Sequence, residues 1–268
     1  MRPRAGMHGG VHGGVRSVKA GCWTALAQAG VAALLSVALL GPGASAPAAN
    51  ARLLLAAQLA CPSNVADRLR STGTARQLVT VEASMWRGVV AEVALWRRAG
   101  GCWRQLQGPW TAWIGRNGFS DRHREGDGTT PTGMYAIGPV VYGNAANPGT
   151  RLSYHRLVCG DWWDEDPTSG GYNTFQHVPC GQAPPFGGAS EALWTETAAY
   201  PSFAVVEYNT HPVVPYAGSA IFVHASTGTP TAGCVALPLG DLDVMLRWLR
   251  PSPRPYIVMG PAAEITRF

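Results

Sequence analysis

His224 and Cys234 are the two residues whose types and spacing point to chemistry. A short apolar run, Ala220-Ile-Phe-Val, ends in His224; a loop rich in Gly, Pro, Ser and Thr follows, and Gly233-Cys234 opens a second apolar run. The pattern reads as strand, loop and strand, with a base at one lip and a thiol at the other. A thiol near its free pKa of about 8.5 is a poor nucleophile at neutral pH and needs an imidazole to draw off its proton. Gly233 suits a sharp turn that lets a carbonyl approach the backbone, and the amides of Gly233 and Cys234 would hold the oxyanion that results. A lone Cys on a strand is also a common small buried hydrophobe, and a lone His a common hydrogen-bonded structural residue. Spacing leaves both readings open.

The run from His224 to Thr231-Ala-Gly-Cys234 resembles the signature of the L,D-transpeptidase catalytic domain (YkuD-like) family: a His, a loop, Ser or Thr, usually His, then Gly and the nucleophilic Cys. Upstream, Gly128-Thr-Thr-Pro131-Thr-Gly133-Met-Tyr135 is similar to the family's Thr-Pro-x-Gly-x-aromatic segment. The resemblance covers roughly Gln77 to Gly260. The chain differs from the family pattern in a shorter loop, in Ala232 where His is commoner, and in Ala236 where Asn or Arg is frequent. The resemblance implies a mainly β domain, a sandwich-like pair of sheets with one packed C-terminal helix and a long irregular insertion. It implies a peptidoglycan stem peptide as substrate, carbapenem-type acyl donors as inhibitors, and no cofactor or metal. In that reading His224 deprotonates Cys234, Thr231 assists the oxyanion amides, and the carbonyl of Ala225 fixes the imidazole tautomer.

Residues 1–46 read as an export signal. Arg2, Arg4, Arg16 and Lys19 form a positive region, Ala25 to Leu40 an apolar one, and Ala44-Ser-Ala46 a cleavage site. The expectation is a secreted protein of the cell wall or the extracytoplasmic face of the membrane, the alternative an uncleaved anchor. The full chain carries 21 basic and 16 acidic residues; the leader holds four of the basic and none of the acidic, which leaves 17 against 16, or +1. Without a basic patch, nucleic-acid binding loses its support. Five cysteines follow the leader: Cys61, Cys102, Cys159, Cys180 and Cys234. In an oxidising compartment an odd count leaves one thiol over, and Cys234 is the natural one. The other four allow three connectivities, of which Cys61 with Cys102 and Cys159 with Cys180 is preferred, the second bridge clipping a long irregular segment.

The elements that must position the pair follow from periodicity. Residues 47–76 read as an appendage with a short helix over Asn64 to Leu69, capped by Asn64. The catalytic domain then spans residues 77–268, of a size that suits a monomer with one undivided β domain. Gln77 to Ala83, Val89 to Trp96, Trp103 to Leu106 and Thr111 to Gly115 alternate as a meander broken at Gly100-Gly101 and Gly108-Pro109. Asn117 to Thr130, with Asp121, Arg122, His123, Arg124, Glu125 and Asp127, lacks zinc spacing and reads as a solvated loop. Val140 to Ser190 is long and irregular, which marks a lid or binding loop; its aromatics either flank a peptide groove or pack a satellite core. Phe203 to Tyr208 should pair with Ile221 to His224, bringing Tyr208 and Asn209 near the site, with Trp194 as a further substrate contact. Leu239 to Leu249 has helical spacing ended by Pro251, and Arg254 to Val258 is a last strand. Two other functions fit the same residues: a cell-wall peptidase using Cys and His, and a non-enzymatic wall-binding domain in which Cys234 is buried. A rival base, His211, sits in a turn, and Asp164 with Asp166 is a weak signal for sugar hydrolysis.

Overall fold

A computed structural model describes Cys61 and residues 63–268. The expected export signal, residues 47–60 of the appendage and Cys22 lie outside the described residues. The chain is mainly β, with one long mixed sheet and few helices. After a single-turn helix, α1 (Val65–Arg68), the meander runs through β1 (Gln77–Ala83), β2 (Val90–Ala99) and β3 (Cys102–Trp113), antiparallel throughout. Asn64 caps α1 through its side-chain oxygen, which accepts from Asp67 N at 2.9 Å. Gly108-Pro109 does not break the third strand as expected. It is absorbed within β3, where the register against β2 shifts between Val93 and Leu95, because a bulge accepts a residue without an N–H.

β4 (Phe119–Ser120) and β5 (Thr130–Pro131) form a small parallel pair, followed by β6 (Gly133–Gly143). The large sheet is completed by β7 (Ser153–Arg156), β11 (Phe203–Val206), β12 (Phe222–Ala225), β13 (Val235–Leu237) and β14 (Tyr256–Pro261), in the order β11-β12-β13-β3-β2-β1-β14-β6-β7. β6 pairs antiparallel with β14 on one side and also with β11. The layers of the sandwich are therefore one sheet that curls until β6 joins its ends, so the strands that carry the site have no open edge at that seam.

Alternation assigns the faces. Val79, Val81 and Ala83 of β1 join Val93, Leu95, Val223, Ala225, Val235 and Leu237 in the main core. Helix α2 (Leu239–Trp248) lays Leu242, Met245 and Leu246 on it at helical spacing, and the following Leu249 joins them. The Arg250 guanidinium donates to the carbonyls of Arg247, Trp248 and Leu249, which would otherwise end the helix unpaired. Leu78 faces the other way, with Trp96, Trp103 and Ala66 of α1, so the described part of the appendage packs on the sheet.

The insertion is more regular than its composition predicts. It holds a second sheet in the order β10-β8-β9, made of β8 (Asp161–Asp164), β9 (Thr174–His177) and β10 (Glu191–Ala192). Asp161, fully buried, ties it together: its carboxylate accepts from Val158 N at 2.9 Å and meets His155 Nε2 at 2.8 Å and His177 Nδ1 at 2.7 Å. The bridges are Cys61–Cys102 and Cys159–Cys180, and Cys234 is free and buried.

Candidate active site

β12 and β13 run parallel, with Val223 opposite Val235 and His224 opposite Ala236. Paired residues of neighbouring strands share a face and alternate residues share it too. Cys234, two positions before Ala236, therefore points to the same side as His224 and Phe222. The pairing register, rather than a hairpin closing lip to lip, places the two groups on one face. The loop between them crosses back along the strands and is stitched to the meander: Thr231 N donates to Ile114 O at 2.9 Å, and Arg116 N donates to Thr231 O at 2.9 Å.

Both groups are buried, His224 at 8% exposure and Cys234 at 9%. His224 Nδ1 lies 2.9 Å from the carbonyl oxygen of Ala225. A carbonyl can only accept, so Nδ1 carries the proton and Nε2 keeps a lone pair for base chemistry. Burial lowers the imidazole below its ordinary value, against the weaker opposing pull of the Ala225 and Ala199 carbonyls. Burial raises the Cys234 thiol well above its ordinary range, and the negative fields of Glu191 and Glu165 add to this. The thiol donates to Ala220 O at 3.1 Å and accepts from Phe222 N at 3.3 Å; no hydrogen bond joins it to His224 among the described residues. The resting pair is thus an uncharged thiol and a neutral imidazole on one strand face.

Thr231 organises the turn before the thiol. Its hydroxyl donates to Cys234 O at 2.7 Å and accepts from Gly233 N at 3.1 Å, so the Gly233 amide expected in an oxyanion hole is engaged within the turn. Gly233 is required by close approach: a Cβ there would stand 2.9 Å from Thr129 O and 3.1 Å from the Ile221 side chain. Thr130 locks the same turn from the upstream segment, its hydroxyl donating to Gly233 O at 2.8 Å and accepting from Gly115 N at 2.8 Å.

The remaining expected contacts have partners of their own. Tyr208 packs edge-on against His123 and Tyr135 and donates to Ala217 O at 2.6 Å. Asn209, in the left-handed region at φ 51°, holds its own loop through Val214 and Gly218. Trp194 lies against Trp162 and joins the aromatic cluster that contains Cys234. His211 is exposed, and Asp164 and Asp166 are consumed in turns, Asp164 holding Ser169 Oγ at 2.5 Å and Asp166 holding Thr168 N and Gly187 N. Trp163 of the insertion packs with Tyr200, Phe203 and Phe222 in a satellite core that also holds Cys234, and that core is the wall of the site.

Two further residues escaped the sequence reading. Tyr200 sits edge-on to His224 at 5.5 Å between ring centroids and donates to Glu191 at 2.5 Å. His123, expected in a solvated loop, is buried, because its Nδ1 lies 3.0 Å from Thr129 Oγ1 and 3.1 Å from Asp127 while its ring lies beside the backbone of Gly218 and Gly233. The hint in the sequence was Asp127 four residues on, a spacing that here closes a loop.

No curated protein and no solved structure matches the chain. The family model described as the L,D-transpeptidase catalytic domain, YkuD, matches residues 95–258. That span takes in both upstream and downstream motifs and every strand of the sheet from β3 to β13, and with it the chain belongs to the YkuD family of L,D-transpeptidase catalytic domains.

Proposed function

We propose that the protein is an exported, monomeric cysteine acyltransferase acting on peptidoglycan stem peptides, with Cys234 as nucleophile and His224 as base. The observation that carries this reading is the only free cysteine among the described residues, held on the same strand face as a histidine whose Nδ1 is fixed and whose Nε2 is the acceptor. The family's peptidoglycan chemistry supplies the substrate class. Rotation of the thiol away from Ala220 O toward Nε2 begins the reaction. The proton passes to Nε2 as the sulfur attacks a peptide carbonyl at the L-centre of a diamino acid in the stem. The oxyanion is met by the Cys234 amide, and by the Gly233 amide once Thr231 exchanges its bond. The imidazolium returns the proton to the departing D-residue amine, leaving a thioester. An amine then takes the acyl group to give a cross-link, or water takes it to give a shortened stem. Carbapenem-type compounds fit the same step as acyl donors.

Turnover of a purified stem tetrapeptide tests the reading. The protein should release the terminal D-residue, and Cys234→Ala should abolish release while keeping the fold. Undiminished release from Cys234→Ala would end it.

A further inference from the structure

Glu165, directly after β8, is 8% exposed, and its Oε1 has no hydrogen-bond partner among the described residues. Leaving a buried oxygen unpaired costs about 1–3 kcal/mol, and more once it is charged, so such a group calls for an explanation. Its acidic neighbours are all engaged. Glu191 accepts from the Tyr200 hydroxyl, Asp164 from Ser169 and Asp166 N, and Glu125 from Tyr172 and Ser219. Burial, with the fields of Glu191, Glu125 and Asp164 added, pushes the Glu165 carboxyl up to about 10. Burial also raises Glu191, with the field of Glu196 added and the Tyr200 hydrogen bond opposing.

The cluster adjoins the thiol. Trp163, two residues before Glu165 and opposite Glu191 in the β8–β10 register, lies edge-on to Phe222 at 5.0 Å, and Phe222 N is the donor to Cys234 Sγ. Tyr200 spans from Glu191 to the His224 ring. Both carboxyls raise the thiol's proton affinity through their charge.

We infer that Glu165, backed by Glu191, is a subsite for a primary ammonium group of the peptide that reacts at Cys234. The identity of the ligand as a peptide rests on the acyl-transfer reading. An ammonium brings three donors and a positive charge, the complement of an unpaired buried oxygen beside a second carboxyl. Binding converts a neutral carboxyl and an ammonium into an ion pair and releases one proton to solvent. The ammonium belongs either to the donor's diamino acid or to the attacking acceptor; the chemistry is shared.

The test uses the full chain carrying Cys234→Ala, a stem tetrapeptide ending in L-lysyl-D-alanine, and its Nε-acetylated counterpart. Titration calorimetry at pH 7 in two buffers of different ionisation enthalpy reads affinity and proton release. The free amine should bind about tenfold or more tightly than the acetylated peptide, with net release of protons, as a desolvated charge pair does. Adding Glu165→Gln should abolish both the preference and the release, and Glu191→Gln should weaken both, with thermal melting showing each variant folded. Equal affinity for the two peptides, or a preference that survives Glu165→Gln, overturns the subsite. Thioester formation by the protein with Cys234 intact, and separately aminolysis of the preformed thioester by lysine, assigns the amine to donor or acceptor. An amine preference that Glu165→Gln removes, in a protein that forms no thioester, keeps the subsite and sinks the acyl-transfer reading; a thioester formed with no preference does the reverse.

Discussion

Cys234 and His224 rest as an uncharged pair because both are buried, where each charged form is costly. Iodoacetamide should therefore modify Cys234 in the folded, non-reduced protein slowly at pH 7, with a rate that climbs beyond pH 9, whereas the urea-unfolded chain should show an ordinary thiol profile centred at about 8.5. A folded-state profile centred at or below that value would mean the thiol is already activated. Glu165 gives a sharper sign. Its carboxyl sits above its ordinary value in the folded protein, so the stability it contributes is fully present below about pH 4.5 and is lost as pH rises toward about 10. Glu165→Gln should be nearly neutral at pH 4 and stabilising by about 2–3 kcal/mol at pH 7, read as a melting temperature several degrees higher. Equal melting of the two proteins at both pH values would contradict the burial that drives the shift. At this scale the sequence made His224, Cys234 and the Ala225 carbonyl legible, since all three lie in one short run. Tyr200, Glu165 and Glu191 were not legible, because only the folded chain brings them toward the thiol.

Strands and the helix behaved as their periods said. Alternation found β1 and β2, apolar runs found β11 and β12, and the leucine spacing found α2, because buried strands and a one-faced helix print their geometry on the chain. Leu246, fully buried on α2, is the residue on which that helix's packing is most simply tested: Leu246→Ala should cost about 2–5 kcal/mol by chemical denaturation. A change within error would mean α2 contributes little to the core. What the pattern hid was pairing direction. Strand, loop and strand around His224 and Cys234 left the direction open; β12 and β13 are parallel, and the crossing loop is held by Ile114 and Arg116, residues more than a hundred positions away. The insertion looked structureless because its strands are only two to four residues long, too short to show a period. Its order depends on Asp161 instead. Asp161→Asn should leave the His155 and His177 contacts without their charge and lower stability by about 1–3 kcal/mol, with hydrogen exchange rising first over 153–180. Uniform exchange across the chain would mean the insertion does not open independently.

The molecule as a whole joins a closed β core to an insertion whose second sheet roofs one strand face. Composition and cysteine parity already pointed to a disulfide-stabilised β protein, since four paired cysteines and one left over are countable, and the pairs found are Cys61–Cys102 and Cys159–Cys180. Closure of the sheet through β6 was not countable, because it depends on β6 holding two partners, β14 and β11. That closure fixes the strand face shared by Cys234 and His224, and the second sheet adds Trp163 to the aromatic wall and sets Glu191 opposite it. The central claim is that one sulfur in this assembly is an acyl acceptor activated by one imidazole. Intact-mass measurement of the non-reduced protein after incubation with a carbapenem tests it most directly. The account predicts a single adduct, mapped to Cys234, absent from Cys234→Ala and formed at least about a hundredfold more slowly by His224→Ala, the range lost with a general base. No adduct on the native protein, or one that persists in Cys234→Ala, would contradict it.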